Sequence, residues 1–232
     1  MTAATVTGPR QRKYALLLAL LCGALAIETA IPPGAERILA DVFGTALAIA
    51  VWFVVFERPR ERSAMAAVLA VAVAISWARY FVAANFFHAL SLADQTALLV
   101  LLSGAVYVIV RDLFRTPSAG TANVLGAICG YLIAGDAWAR VNGIAYLLVP
   151  SAYSINPEIT ALLPDWHGRL ALFTYYSFAQ ILALGYSDVT PVHAPATTLS
   201  LFAALFGVFY TAIVVTQFVG LAQRGKQPSL DP

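Results

Sequence analysis

The residues whose types and spacing could do chemistry lie between Thr174 and Pro191. An apolar stretch too short to cross a membrane, 170–184, leads into the polar run Gly185-Tyr186-Ser187-Asp188, and a longer apolar stretch follows at 197–222. This order predicts a re-entrant loop, whose irregular backbone is tolerated at membrane depth only where it is buried in protein or lines a water-filled cavity. Backbone carbonyls in such a loop can replace the water around a cation. An ordinary external turn is the alternative, because Gly, Ser and Asp are turn formers.

The pattern L-G-Y-x-D-x-T-P over 184–191 stands between a short helix and a span with a glycine in its middle, and it resembles the pore domain of the potassium channel family. The bacterial members built like two-transmembrane pore units are the most similar, and their filter typically reads T-x-G-Y-G-D. The resemblance covers about 121–222, and over 1–120 it extends only to a general six-span layout. It implies a homotetramer around one axis. The expected ion selectivity filter comprises Ala183, Leu184, Gly185, Tyr186 and Ser187, with Asp188 at the outer mouth.

The same resemblance implies supporting roles for residues around the filter. Tyr175, Tyr176 and Gln180 on the short helix are expected to brace it. Gly207 stands where the family often has a gating hinge in its pore-lining helix. A glycine in the middle of a membrane helix is as often a close-packing contact between helices. The sequence leaves both roles open for Gly207.

The expected filter departs from the family at two positions. Ala183 replaces the usual threonine and so removes hydroxyl ligands, and Ser187 replaces a second glycine. Successive carbonyls that point the same way need residues at positive φ, where glycine is nearly free of penalty and other L-residues lose roughly 1–2 kcal/mol. We therefore expect a tetrameric potassium-channel-like channel for monovalent cations, permeable to K+ and, with reduced selectivity, to Na+. No cofactor and no fixed metal are expected.

Other functions agree less well with the sequence. A non-selective cation pore and a non-conducting channel homologue are the nearest alternatives. A secondary transporter usually has paired inverted repeats with broken helices in both halves, whereas only one half of this chain has a broken segment. An enzyme is not expected, because the chain contains neither HExxH nor GxSxG and its histidines, His88, His167 and His193, are predicted in loops.

The composition indicates the solvent that surrounds these elements. The 232 residues are 60% hydrophobic and 11% charged, whereas soluble domains contain about a quarter charged residues, so membrane lipid is the expected surrounding. The net charge of +2 lacks the basic excess of a nucleic-acid binder. Cys22 and Cys129 both lie in apolar runs, which supports neither a disulfide framework nor a cysteine metal site.

Six apolar stretches approach the length of about 20 residues that a membrane-crossing helix needs. They predict an all-α membrane protein with six transmembrane helices, and a re-entrant pore helix and filter loop between the fifth and sixth: 14–31, 38–56, 64–87, 96–110, 121–149 and 197–222. Three regions follow, namely an N-terminal four-helix membrane domain (1–120), a pore domain (121–222) and a short cytoplasmic tail (223–232). The fourth stretch contains no arginine, so the first region lacks the charges of a voltage sensor.

Lysines and arginines predict the orientation, since cytoplasmic loops retain them. With the N-terminus inside, ten lie on the inner side, and two, Arg37 and Arg169, lie on the outer side. Both termini are therefore expected in the cytoplasm of a multi-pass protein of the cell membrane, and the alanine-rich composition favours a bacterial inner membrane. A signal peptide cleaved near Ala24-Leu25-Ala26 is the alternative for the first stretch.

Charged side chains within the spans are costly and usually paired. The sequence places five of them there: Glu28, Asp41, Arg79, Asp136 and Arg140. The first three lie toward the outer ends of their spans and are expected to form one structural cluster. The last two are four residues apart on one helical face, which favours an ion pair. An alternative places that pair against Gln180, behind the filter.

Overall fold

The computed structural model describes residues 8–30, 37–81, 86–115, 120–163, 166–185 and 188–224. Seven α-helices dominate these residues, which confirms the predicted helical class. They are α1 (Pro9–Ala30), α2 (Arg37–Val55), α3 (Pro59–Ala78), α4 (Phe87–Arg115), α5 (Thr121–Leu148), α6 (Trp166–Ile181) and α7 (Ala194–Arg224). Two short 3-10 turns, Pro150–Ala152 and Pro157–Leu162, lie between α5 and α6.

Helix α5 lies at the centre of the molecule. It contacts α1 and α4 on one side and α6 and α7 on the other, while α1, α2, α3 and α4 pack together in sequence order. Within its most apolar stretch 56% of the residues are buried, compared with 17% for α7. The close approach depends on small residues, since a β-carbon on Gly135 would come within 2.3 Å of the Phe178 ring. Helix α5 therefore packs against both the N-terminal bundle and the segment around α6.

Four helices in the described part of the chain are long and apolar enough to cross a membrane. They are α3, α4, α5 and the 194–218 portion of α7. Helix α2 contains a shorter apolar helix, Ala40–Val55. These four helices indicate a membrane-embedded protein.

The boundary between α3 and α4 differs from the sequence prediction. The third stretch was expected to continue to 87 and a break to follow at 88–95, but α3 ends at Ala78 and α4 already begins at Phe87. The polar residues that predicted the break, Ser91, Asp94 and Gln95, are at most 3% exposed and face the inside of the bundle. His88 and His167, both predicted in loops, lie in α4 and α6.

A two-stranded antiparallel ribbon adds a small sheet to the helical fold. Strand β1 (Tyr153–Ile155) pairs with β2 (Val189–Pro191), so that Ser154 lies opposite Thr190. The ribbon joins the segment after α5 to the segment before α7. We call the side of the molecule that carries it the ribbon end. Three-residue strands are too short to show an alternating pattern, and the sequence therefore did not predict them.

Candidate pore segment

Helix α6 is short and packed inside the protein. Its 16 residues extend about 24 Å at 1.5 Å per residue, less than the ~30 Å of a hydrocarbon core. It contacts α5 and α7, and buried residues such as Phe173, Tyr176 and Ile181 lie along its length. Helix α6 is therefore shorter than a membrane-crossing helix and is packed among its neighbours.

The turn after α6 has a strained, left-handed backbone. Ala183 has φ 52° and Gly185 has φ 73°, and they are the two residues with positive φ among those described. The Ala183 amide donates to the Gln180 carbonyl at 3.0 Å, and the Leu184 amide donates to the Ala179 carbonyl at 2.9 Å. This is the Schellman arrangement, in which glycine usually occupies the left-handed position. Ala183 therefore caps the helix at a cost of roughly 1–2 kcal/mol.

The carbonyl oxygens of the turn belong to exposed residues. Among the described residues, none donates a hydrogen bond to the carbonyls of Ala183, Leu184 or Gly185. The side chains of Leu182 and Leu184 are 51% and 44% exposed. Tyr186 and Ser187, the other two residues of the predicted filter, lie outside the described residues. Within the described part of the chain, these oxygens thus lack hydrogen-bond donors and lie beside exposed apolar side chains.

Asp188 is held by a residue that the sequence did not indicate. Asn156 donates from Nδ2 to Asp188 Oδ1 at 3.2 Å and from its backbone amide to the Asp188 carbonyl at 2.9 Å. The Asp188 side chain remains exposed. Asn156 also accepts from the Glu158 amide at 3.1 Å, so it belongs to the connection between β1 and α6. A single asparagine in a predicted loop gives no signal for this role.

The three predicted bracing residues have different surroundings. The Tyr176 hydroxyl lies 2.5 Å from Ser200 Oγ on α7, within a fully buried contact. Tyr175 is 41% exposed, and Gln180 is half-buried, with its backbone oxygen in the cap described above. Tyr176 therefore ties α6 to α7, and Asn156 contacts Asp188.

A buried asparagine connects α5, α6 and the ribbon behind the turn. Asn142 is completely buried; its Nδ2 lies 3.0 Å from Ser177 Oγ, and its Oδ1 accepts from the Tyr153 hydroxyl at 2.8 Å. Burial raises the pKa of Tyr153, so its hydroxyl stays protonated and donates. A polar side chain in an apolar helix was the available sequence signal, because such groups form hydrogen bonds between membrane helices.

We expect Asn142→Ala to destabilise the protein by about 3 kcal/mol, because the change opens a cavity and leaves two buried hydroxyls without their partner. Tyr153→Phe, which removes one hydroxyl from the same group, should cost about 1 kcal/mol. Thermal unfolding of the purified protein in detergent measures both. Equal midpoints for the wild type and Asn142→Ala would contradict this assignment.

Gly207 packs against the end of α6. A β-carbon at this position would lie 2.0 Å from the Ile181 carbonyl oxygen. That oxygen also lies 3.4 Å from the Tyr131 hydroxyl. The geometry supports the close-packing alternative for Gly207, while a hinge at this position stays a prediction.

Four of the five charges predicted within the spans are paired in the described part of the chain. Arg140 Nε lies 3.3 Å from Asp136 Oδ1, and Arg140 Nη1 lies 3.4 Å from Gln95 Oε1 on α4. The predicted pair is thus confirmed, and its arginine is directed toward α4. Arg79, directly after α3, contacts Asp41 of α2 at 2.9 Å. The Glu28 side chain lies outside the described residues.

The chain matches no protein-family model, no curated protein and no solved structure. Its function is therefore inferred from its own residues and geometry.

Proposed function

We propose that four copies of this chain assemble into a channel that conducts monovalent cations through backbone carbonyls of the turn after α6. The single observation that carries the proposal is the combination of a short buried helix with an exposed turn whose carbonyls lack partners within the described chain. Residues at φ 52° and 73° alternate with Leu184 in this turn. Positive φ at alternate positions is the backbone feature that allows successive carbonyls to point toward one axis.

Other copies of the chain are needed to complete such a site. A dehydrated cation needs several oxygen ligands, and carbonyl rings from separate subunits supply them. Beside the turn, α7 carries a row of large apolar side chains that this chain leaves exposed: Leu201, Phe202, Leu205, Val208 and Phe209. Lipid and neighbouring copies are the partners that suit this surface.

The proposed topology has six spans, with α6 re-entrant between the fifth and sixth. Lys13, Arg58 and Arg111 lie at the end of the bundle opposite the ribbon, where they pair with Glu57 and Glu61. This concentration of basic residues favours a cytoplasmic location for that end. The ribbon end then faces the exterior, and both termini lie in the cytoplasm.

Reversal potentials of the protein in liposomes, under opposed K+ and Na+ gradients, test the function. We expect a cation current in which K+ is preferred over Na+ less strongly than in a channel with a full T-x-G-Y-G filter, because Ala183 and Ser187 replace the usual threonine and glycine. The double variant Ala183→Thr/Ser187→Gly, which restores the residues of the family pattern at both positions, should raise the preference for K+ by about tenfold.

Assembly provides an independent check of the same proposal. Chemical cross-linking in native membranes should yield a ladder that ends at four subunits. A monomer or dimer, or the absence of cation current in a protein shown to be tetrameric, would refute the conducting tetramer. The second result would identify the chain as a non-conducting channel homologue.

A further inference from the structure

A polar cavity of about 100 Å³ lies within the helical bundle, on the ribbon side of its middle. Its wall includes residues of α1 to α6, and six of the side chains that line it are ionisable: Asp41, Arg79, Asp94, Asp136, Arg140 and His167. The volume is large enough for several water molecules, each of which needs about 10–15 Å³ by this measure. The bundle therefore contains a group of charges, with room for water beside them, that the proposed pore does not use.

The cavity joins the start of α6 to the N-terminal bundle. His167 Nε2 lies 3.7 Å from Asp41 Oδ2, whose carboxylate also accepts from Arg79 at 2.9 Å and from the Tyr80 hydroxyl at 2.6 Å. The Arg79 guanidinium stacks over the Trp166 ring, 4.5 Å from its centroid. The first two residues of α6 thus contact the charged residues at the ends of α2 and α3.

The Asp41 carboxylate beside His167 favours a proton on the imidazole. His167 Nε2 lies within ion-pair distance of Asp41 Oδ2, and the two groups attract one another once the ring is protonated. His167 is the one histidine in the described lining, and histidine titrates near physiological pH. Protonation therefore adds a charge–charge contact between α6 and α2.

The groups that face His167 come from each neighbouring helix. They are Asp41 of α2, Arg79 and Tyr80 after α3, Asp94 of α4, Asp136 and Arg140 of α5, and Arg169 of α6 itself. Asp94 contacts Ser76, so its position is fixed from α3 as well. The Glu28 and Asp165 side chains lie outside the described residues.

We propose that this cavity is a proton-binding site in which His167 takes up a proton and pairs with Asp41, which tightens the contact between α6 and the N-terminal bundle. The proton site stands on the cavity itself, whereas its influence on cation flux rests on the proposed function. Helix α6 leads directly into the turn whose carbonyls lack donors within the described chain. Proton uptake at one wall of the cavity therefore shifts α6 and, with it, the position of the turn.

Thermal unfolding in detergent at pH 8 and pH 5.5 tests the proton site without any need for conduction. We expect His167→Gln to lower the unfolding midpoint relative to wild type by about 3 °C more at pH 5.5 than at pH 8. The sign follows from the pairing, since the protonated imidazole is attracted to the Asp41 carboxylate and stabilises the folded chain, whereas the neutral one does not. His193→Gln, at an exposed histidine before α7, serves as the matched control and should show no such difference. A pH-independent effect of His167→Gln would overturn the site.

A second measurement covers the case in which His167→Gln does not fold. The chain has three histidines, so the variant His88→Gln/His193→Gln retains His167 as its sole imidazole. NMR spectroscopy then measures the titration of that imidazole. Adding Asp41→Asn should move the titration midpoint to lower pH, and an unchanged midpoint would overturn the proposed pairing.

Flux measurements then address the influence on the pore. Lowering the pH at the ribbon side from 7.5 to 5.5 should change the flux of the wild type by at least about twofold, and the change should be absent in His167→Gln. Flux that does not depend on pH would overturn the coupling to the turn. A complete absence of flux, together with an intact His167 titration, would count against the proposed function and not against the proton site.

Discussion

Replacement of Gly185 by alanine is expected to reduce cation flux by about tenfold or more while leaving the fold intact. Gly185 has φ 73°, where an L-residue loses roughly 1–2 kcal/mol, so the variant populates this turn about ten times less. A β-carbon at this position meets no atom within 4 Å, which means that the substitution strains the backbone without a steric clash. Flux into liposomes loaded with K+ measures the effect.

A matched control separates backbone strain from the mere addition of a methyl group. Gly44 lies in α2 without a positive φ, and a β-carbon there also meets no atom within 4 Å. Gly44→Ala should therefore conduct like the wild type. If Gly185→Ala conducts as well as Gly44→Ala, the carbonyls of this turn do not form the conduction path.

Helix positions could be predicted from the sequence because a long apolar stretch in lipid must hydrogen-bond its own backbone amides and carbonyls, which a helix does. The predicted stretch 121–149 corresponds to α5, and the short stretch 170–184 corresponds to α6 with its following turn. The prediction was wrong between α3 and α4. Composition alone does not distinguish a polar loop from a helix whose polar side chains are buried inside the bundle, as Asp94 and Gln95 are.

The location of the candidate site could also be predicted, but its supports could not. The short helix and the glycine turn are local features, and both lie within one continuous segment. Asn142, Asn156 and Ser200 contact that segment from distant parts of the chain. A single sequence does not tell which hydrogen-bonding groups from distant parts of the chain will contact one another across packed helices. These three partners were therefore identified only from the structure.

Helix α5 makes polar contacts with both halves of the chain. Arg140 of α5 contacts Gln95 of α4, and Asn142, two residues further on, contacts Ser177 of α6. The same short stretch of helix therefore carries the polar contacts of the N-terminal bundle and those of the candidate pore segment. These contacts place α5 between the charged residues of the bundle and α6.

Gly207→Ala is expected to have the largest effect on stability, with a loss of about 3 kcal/mol or more. A β-carbon at this position would lie 2.0 Å from the Ile181 carbonyl oxygen, a backbone atom at the end of α6. That backbone has little room to move, because the Leu182 amide donates to the Phe178 carbonyl at 2.9 Å and Ile181 itself is buried. Thermal unfolding and the yield of assembled protein both measure the loss.

Gly104→Ala is the matched control, since Gly104 lies within α4 and its nearest neighbour is the flexible Met65 side chain, with Sδ 3.4 Å from the added carbon. Its stability should remain within about 1 kcal/mol of wild type. Thermal unfolding then distinguishes the packing role of Gly207 from the hinge role. A packing glycine makes Gly207→Ala unstable whether or not the channel is open, whereas a pure hinge leaves the unfolding midpoint unchanged and alters the open fraction alone. Because the steric conflict is with backbone and not with the far end of a side chain, we expect the first result.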